Sequence, residues 1–234
     1  MNAFRRGGLW LLGSLVAPAA PLHAQEAAEE ETSFSVDAAV SVVSDYRFRG
    51  YSLSDKDPAI QPELMVSHSS GVYAYAFGST LAENDGADIE ADVGIGYATT
   101  LGPLDADFSA VWYLYPGAAN LDFVEFLASF STAAGPATLG AEFAYSPPQA
   151  NIGGIANRYA GVNGSLPLGA SPVSLSGTFG IEDGAFGDNK LDWSLGLTME
   201  AAGFEFGASY VDAARTGRDP LADPTVVVSV RRSF

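Results

Sequence analysis

The sequence predicts an all-β chain, a transmembrane antiparallel up-and-down β-barrel of about twelve strands. Three observations lead there. Apolar and polar residues alternate with a period of two in segment after segment; no apolar run of about 18 residues follows the N-terminal region; and short turns alternate with longer polar loops. Among 234 residues, 26 Gly, 13 Pro and 12 % aromatics suit strands and turns, and 47 % hydrophobic content excludes a disordered chain.

Residues 1–24 read as a secretory signal peptide. Arg5 and Arg6 form its basic start, Leu9 to Val16 its apolar core, and Ala17 to Ala24 a small-residue exit, with cleavage expected after Ala24 or near Ala20. Residues 25–33, carrying Glu26, Glu29, Glu30 and Glu31, are expected to form a solvated periplasmic tail. Zero Cys excludes a disulfide framework, a thiolate metal site and a cysteine nucleophile. Once Arg5 and Arg6 are removed, 9 of the 11 Lys and Arg face 28 Asp and Glu, so the net charge moves from −17 to −19. Phosphate backbones would be repelled, which argues against nucleic acid as a partner. Cations, neutral solutes and a surface bridged by divalent metal remain compatible.

Residues 34–234 are expected to form the barrel. The first strand puts Phe34, Val36, Ala38, Val40 and Val42 on one face and Ser35, Asp37, Ala39 and Ser41 on the other. The outward apolar sets that follow are Ile60, Leu64 and Val66; Tyr73, Tyr75 and Phe77; Ile89, Val93, Ile95 and Tyr97; Leu104, Phe108 and Trp112; and Val124, Phe126 and Phe130. The series continues with Leu139, Phe143 and Tyr145; Val162, Leu166 and Leu168; Val173, Leu175, Phe179 and Ile181; Leu191, Trp193, Leu195, Leu197 and Met199; and Phe204, Phe206 and Tyr210. The last strand carries Val226, Val228 and Val230 outward and Thr225, Ser229 and Arg231 inward, and is expected to pair with the first. Each segment is close to the roughly 9 to 11 residues that a tilted membrane strand needs.

Short connections such as residues 69–71, 101–103, 133–136, 169–172 and 201–203 alternate with longer ones, 45–57, 83–87, 116–120, 147–157, 183–190 and 212–223. That alternation is typical of bacterial outer-membrane barrels, whose tight turns are periplasmic and whose loops are extracellular. With this direction fixed, the aromatics sort into two girdles. Phe34, Tyr73, Tyr97, Phe130, Phe204 and Phe234 lie near the turns, and Trp112, Tyr145, Phe179, Trp193 and Tyr210 near the loops.

The inward frame is acidic. Asp37, Glu63, Glu90, Asp92, Asp105, Asp107, Glu125, Glu142, Asp192, Glu200 and Glu205 all fall on it, with Arg231 as a rare positive charge. A soluble β-sandwich could not bury so many carboxylates, whereas a hydrated lumen can hold them. These residues are the pore-lining candidates.

Residues 44–61 read Ser-Asp-Tyr-Arg-Phe-Arg-Gly-Tyr-Ser-Leu-Ser-Asp-Lys-Asp-Pro-Ala-Ile-Gln, which resembles the signature of the TorF family of porins, a group once described only as conserved proteins of unknown function. Weaker likeness continues through residues 67–73, 89–97 and 122–126 and the final strand, so it spans almost the whole mature chain. The resemblance implies an outer-membrane barrel that passes small solutes, with no catalytic residue to carry over. It also makes terminal Phe234 look like the assembly signal read by the barrel-assembly machinery. Arg232 departs from the pattern, since an apolar residue is more usual in its outward position; near the periplasmic edge it would snorkel.

The signature follows the first strand and is expected to fold over or into the mouth of the barrel, with Gly50 supplying a positive φ. Two roles are open for it. Arg47, Arg49 and Lys56 would form a charged constriction facing Glu63, Glu90 and Asp92, or Tyr46, Phe48 and Tyr51 would anchor a structural latch. Enzyme chemistry has little support, because His68 falls at a turn on the lipid side, and no phosphate loop, HExxH or EF-hand pattern occurs. The acidic turns at residues 83–88 and 182–184 are expected to be solvated, so no metal and no cofactor is assigned.

The expected function is a porin for passive diffusion of small hydrophilic solutes or ions, cation-preferring through its acidic lumen. The alternative is a non-conducting structural or adhesion barrel whose loops bind partners. Expected surroundings are outer-membrane lipid and lipopolysaccharide.

Overall fold

The computed structural model describes residues 33–234. The predicted signal peptide and all of the acidic tail but Ser33 lie outside these residues. The described chain runs β1 (Phe34–Val43), β2 (Arg47–Phe48), β3 (Tyr51–Ser52), β4 (Ala59–His68), β5 (Val72–Asn84), β6 (Ala87–Leu101) and β7 (Leu104–Leu114). It continues with β8 (Phe123–Ala134), β9 (Ala137–Ser146), β10 (Asn157–Pro167), β11 (Val173–Gly184), β12 (Gly187–Ala201), β13 (Phe204–Ala214) and β14 (Thr225–Ser233). Two 3₁₀ turns, Ala150–Ile152 and Pro220–Ala222, are the only helical elements among the described residues.

All strands except β2 and β3 form one closed antiparallel barrel, in which each strand pairs with its neighbours in the chain and β14 returns to β1. The count is therefore twelve, as predicted, and both ends of the barrel chain emerge on the same side. At the seam, Ala39 to Val43 of β1 pair with Ser233 to Ser229 of β14, and the Phe234 amide donates to the Ala38 carbonyl at 2.9 Å. Inside the seam, Arg231 of β14 reaches across β1 to Glu63 of β4. Its Nη1 donates to Oε1 at 2.5 Å and its Nη2 to Oε2 at 2.8 Å. This fork fixes the first, last and fourth strands to one another, and its two parallel bonds are the strong form of ion pair.

The outer face carries the predicted apolar sets. Val36, Ile60, Ile95, Phe126, Phe143, Val162, Leu195 and Val226 are all exposed, with alternate residues turned inward. An exposed apolar belt that encircles a closed barrel has no place in water, and its natural solvent is lipid. Arg232 lies at the turn end over the Phe204 ring, 5.1 Å from its centroid, and donates to the Gly203 carbonyl.

In β5 the sequence-based frame is wrong. Tyr73, Tyr75 and Phe77, expected outward, are buried inside the barrel, and Val72, Ala74 and Ala76 face out. Tyr73 therefore drops out of the turn-side girdle, whereas Phe34, Tyr97, Phe204 and Phe234 stay exposed. The physical reason lies on β6, where Gly96 and Gly94 stand opposite Tyr73 and Tyr75. A Cβ on either glycine would fall 2.2 Å from the facing tyrosine ring. The bare backbone of β6 is the floor on which the two rings lie, so the oily face of β5 is the small one.

A second correction concerns two of the six loops. The expected loops at 83–87 and 183–190 are two-residue hairpins, Asp85-Gly86 and Ala185-Phe186, because β5, β6, β11 and β12 run on past the apolar belt with polar residues. Asp85 and Gly86 both have positive φ, 51° and 95°, as a type I′ turn requires. Longer connections at this end are residues 44–58, 115–122, 147–156 and 215–224.

The Gly94 floor is directly testable. Gly94→Ala alone should cost about 1–3 kcal/mol by displacing the Tyr75 ring, and little when Tyr75 is already Ala. Urea unfolding of the refolded barrel, followed by tryptophan fluorescence in the four forms of the cycle, measures the coupling. Additive losses would mean that the ring does not depend on the glycine.

Candidate functional site

The loop of residues 44–58 turns into the barrel rather than away from it. Its hairpin pairs Arg47 with Ser52 and Phe48 with Tyr51, leaving Arg49 and Gly50 at the tip with φ of 46° and 88°. A Cβ on Gly50 would meet the Ala213 Cβ at 2.7 Å, so the tip presses on the barrel wall where only glycine fits.

The base of the hairpin is held by a polar knot. Arg47 Nε donates to Asp45 Oδ2 at 2.6 Å, and its Nη1 reaches the carbonyls of Gly50, Leu221 and Asp223, each at 3.0 Å. Ser52 Oγ donates to Asp45 Oδ1 at 2.6 Å, and Ser54 Oγ accepts from the Tyr46 amide at 2.9 Å. Arg47 thus ties the first loop to the last one, whose 3₁₀ turn supplies two of the carbonyl acceptors or their neighbours.

At the tip, Arg49 enters a set of four charges. Its Nη2 donates to Glu125 Oε2 of β8 at 2.8 Å, and its Nη1 to Glu182 Oε1 of β11 at 2.8 Å and to Glu125 Oε1 at 3.1 Å. Lys190 of β12 bonds Glu182 Oε2 at 2.5 Å and donates to the Arg49 carbonyl at 2.9 Å. Two positive and two negative groups make a neutral quartet. Glu125 is 0 % exposed, and none of the four is more than 5 % exposed. The remaining carboxylate lone pairs accept from Tyr113, Ser146 and Asn157, which is what a buried ion pair needs to offset desolvation.

Two rings face the guanidinium, with the Phe48 centroid at 4.6 Å and that of Tyr159 at 4.3 Å. Burial alone would lower the Arg49 pKa, but the charges of Glu125 and Glu182 outweigh it and hold the pKa well above the ordinary value. Tyr46 is pushed well above its ordinary value, first by burial and then by the charges of Glu90 and Asp92. Beneath the hairpin, Phe48 packs on a cluster of Tyr73, Tyr75, Val111, Tyr113, Phe123 and Ile152. Tyr113 and Phe123 stack at 4.4 Å.

The inward acids divide into two groups by depth. Glu90, Asp92, Glu125 and Asp192 are buried around the hairpin, with Glu142 beside them half-buried. Asp192 accepts from the Tyr159 hydroxyl at 3.2 Å. Toward the turn end, Asp37, Asp105 and Glu200 are exposed, and Glu63, Asp107 and Glu205 are half-buried, forming a wet acidic vestibule. There Asp107 accepts from Tyr73, and Glu63 is paired with Arg231.

The three loop cations do not act together as the sequence suggested. Arg49 alone meets the wall carboxylates, and its partners are Glu125 and Glu182 rather than Glu63, Glu90 and Asp92. Arg47 is committed to Asp45 and to backbone carbonyls of the first and last loops, and Lys56 sits exposed at the rim, 3.5 Å from Asp223. Glu182 and Lys190 escape the sequence pattern because they lie in the expected loop regions around residues 182–190. Continuing the period of two outward from Ile181 and Leu191 would have turned them inward. His68 sits at a turn, bonded to Ser70 and packed on Phe34. Among the described residues, no group of three or more His, Asp or Glu is arranged to hold a metal ion.

Comparison with known proteins places this architecture. A KdgM porin is similar in fold at 7 % identity, with a TM-score of 0.57 and the match covering 85 % of this chain and 98 % of that one. A NanC porin is similar at 12 % identity and a TM-score of 0.51, with the same coverage. At such identities the likeness shows the fold alone. No curated protein matches the chain. The family model described as a bacterial protein of unknown function (Gcw_chp) matches residues 27–234, and the chain therefore belongs to the Gcw_chp family.

Proposed function

We propose that the chain is an outer-membrane porin of the TorF type that passes small hydrophilic solutes by diffusion, and that residues 44–58 form the plug controlling its lumen. One observation carries this reading: a loop hairpin enters a closed twelve-strand barrel and is held there by Arg49 on Glu125 and Glu182. In this reading residues 1–24 are a cleaved signal peptide, the tight turns are periplasmic, the long loops are extracellular, and Phe234 is the signal for the barrel-assembly machinery. Lipid and lipopolysaccharide surround the apolar belt.

Selectivity follows from charge. Asp37, Asp105, Glu200, Glu205 and Asp107 line the vestibule, with Arg231 committed to Glu63. Such a mouth raises local cation concentration and repels anions. One solved KdgM porin is described in complex with disordered oligogalacturonate; the carboxylate-rich lumen of the present chain suits cations or neutral solutes better than a polyanion.

A second reading, a non-conducting barrel whose loops bind partners, is favoured by the complete burial of the quartet. Planar-bilayer recording separates the two. The full-length barrel should show small or rare steps, and deletion of residues 46–56 should raise conductance severalfold. Absence of steps from both forms would establish the non-conducting barrel. In a salt gradient the deleted form should give a cation-selective reversal potential, and an anion-selective one would overturn the electrostatic assignment.

The plug has an energetic signature as well. Arg49→Ala leaves two buried carboxylates short of a partner and should destabilise the barrel by about 3–5 kcal/mol. Adding Glu125→Gln to that variant, which leaves Lys190 paired with Glu182, should restore part of the loss in urea unfolding. No loss in Arg49→Ala would show that the hairpin is not latched through this residue.

A further inference from the structure

Next to the plug lies a second pair of buried carboxylates with a different character. Glu90 and Asp92 sit two residues apart on β6, both on its inward face, and each is 1 % exposed. Glu90 Oε1 accepts from the Tyr46 hydroxyl of the loop at 2.9 Å. Its Oε2, both oxygens of Asp92 and the hydroxyl of nearby Tyr75 find no partner beyond the two acids themselves and Tyr115. Among the described residues no Lys or Arg forms an ion pair with either acid. The charged neighbours of Asp92 are carboxylates, Glu90 and Glu125.

Two ionised carboxylates are not left in this state, since desolvating even one unpaired charge is prohibitive, and either protons or a counter-charge must neutralise them. The contrast with the quartet is informative. There, two acids and two bases cancel, and the lone pairs are filled by donors. Here, two acids stand together, three of their four oxygens have no partner beyond each other and Tyr115, and the surrounding polar atoms are tyrosine hydroxyls. One shared proton would leave a net negative charge, and a proton on each acid would remove the charge but leave carboxyl oxygens without donors. A hard divalent cation would cancel both charges and accept all three oxygens, because such ions take oxygen ligands in flexible number.

We propose that Glu90 and Asp92 bind a divalent cation of the Ca²⁺ or Mg²⁺ class inside the barrel, beside the Tyr46 end of the plug. Through the Tyr46 hydrogen bond to Glu90, the ion would also fix the loop base against β6. The site stands apart from the porin reading and holds whether or not the barrel conducts.

Terbium is the probe that reads it, because Tb³⁺ replaces Ca²⁺ on oxygen ligands and emits when a nearby tyrosine is excited. The full-length barrel is refolded with Tb³⁺ present, because both acids are closed to solvent. Wild type should give tyrosine-sensitised emission that Ca²⁺ competes away. Asp92→Asn and Glu90→Gln, which keep shape and lose charge, should each weaken that component by about tenfold or more, since ligand charge count sets affinity in such sites. Thermal unfolding should agree, with Ca²⁺ raising the wild-type midpoint over EDTA and leaving Asp92→Asn unmoved. Emission unchanged in both variants would assign it to exposed acidic turns and overturn the proposal. So would a wild-type midpoint indifferent to Ca²⁺ together with a more stable Asp92→Asn in EDTA, the result expected of a shared proton.

Discussion

A sheet in a bilayer cannot leave a strand edge open, because hydrocarbon offers no partner for a free N–H or C=O. In this chain the whole architecture answers to that constraint at one place, the pairing of β14 with β1. The two strands contribute five paired positions there, fewer than most neighbouring strands share, and the Arg231 to Glu63 fork reinforces the joint from within. With no cysteine in the chain, covalent closure is excluded. The seam, set by hydrogen bonds and one ion pair, holds the other eleven pairings in a ring.

Closure at twelve strands then dictates what has to happen inside. Eight strands are filled by their own side chains and 16 to 18 leave an aqueous channel, so about twelve is intermediate. Here the loop-side half is filled from two sources. Tyrosines lie flat on glycine-lined wall, Tyr75 on Gly94 and Tyr159 on Gly180, and the hairpin of residues 47–52 drops into what remains. The turn-side half has only Tyr73 on Gly96 as such filling and receives no loop, which is why the same acidic frame yields buried carboxylates at one depth and exposed ones at another.

This division explains what could be read from the sequence. The alternation of Val226, Val228 and Val230 or of Leu195, Leu197 and Met199 is a one-dimensional signal, and burial follows it without exception. Strand number, closure and the direction of the long loops follow from many such segments together. The β5 frame was not legible, because Tyr73 and Tyr75 are amphipathic and their side is decided by Gly96 and Gly94 on the neighbouring strand. Glu182 and Lys190 were hidden for a related reason. Beyond the apolar belt a strand needs no oily face, so polar strand and polar loop look alike. The partners of Arg49 are further removed still, since they come from β8 and β11, 76 and 133 residues along the chain.

The quartet is also suited to release. A buried ion pair is a poor source of net stability, because desolvation of the two charges nearly offsets their attraction. Withdrawing the hairpin would return Arg49 to water and hydrate Glu125, Glu182 and Lys190 as the lumen filled, so much of the lost attraction would be recovered as solvation. A purely apolar plug has no such compensation, since its exposure to water is a loss throughout. Geometry therefore makes the latch specific: the hairpin fits one way, with its guanidinium between two carboxylates and two rings. In the proposed plug role, the cost of opening would be set mainly by Phe48 leaving the Tyr113 and Phe123 cluster. A plug that is proposed to seat accurately and still come out would be better held by paired charges beside aromatic rings than by either alone.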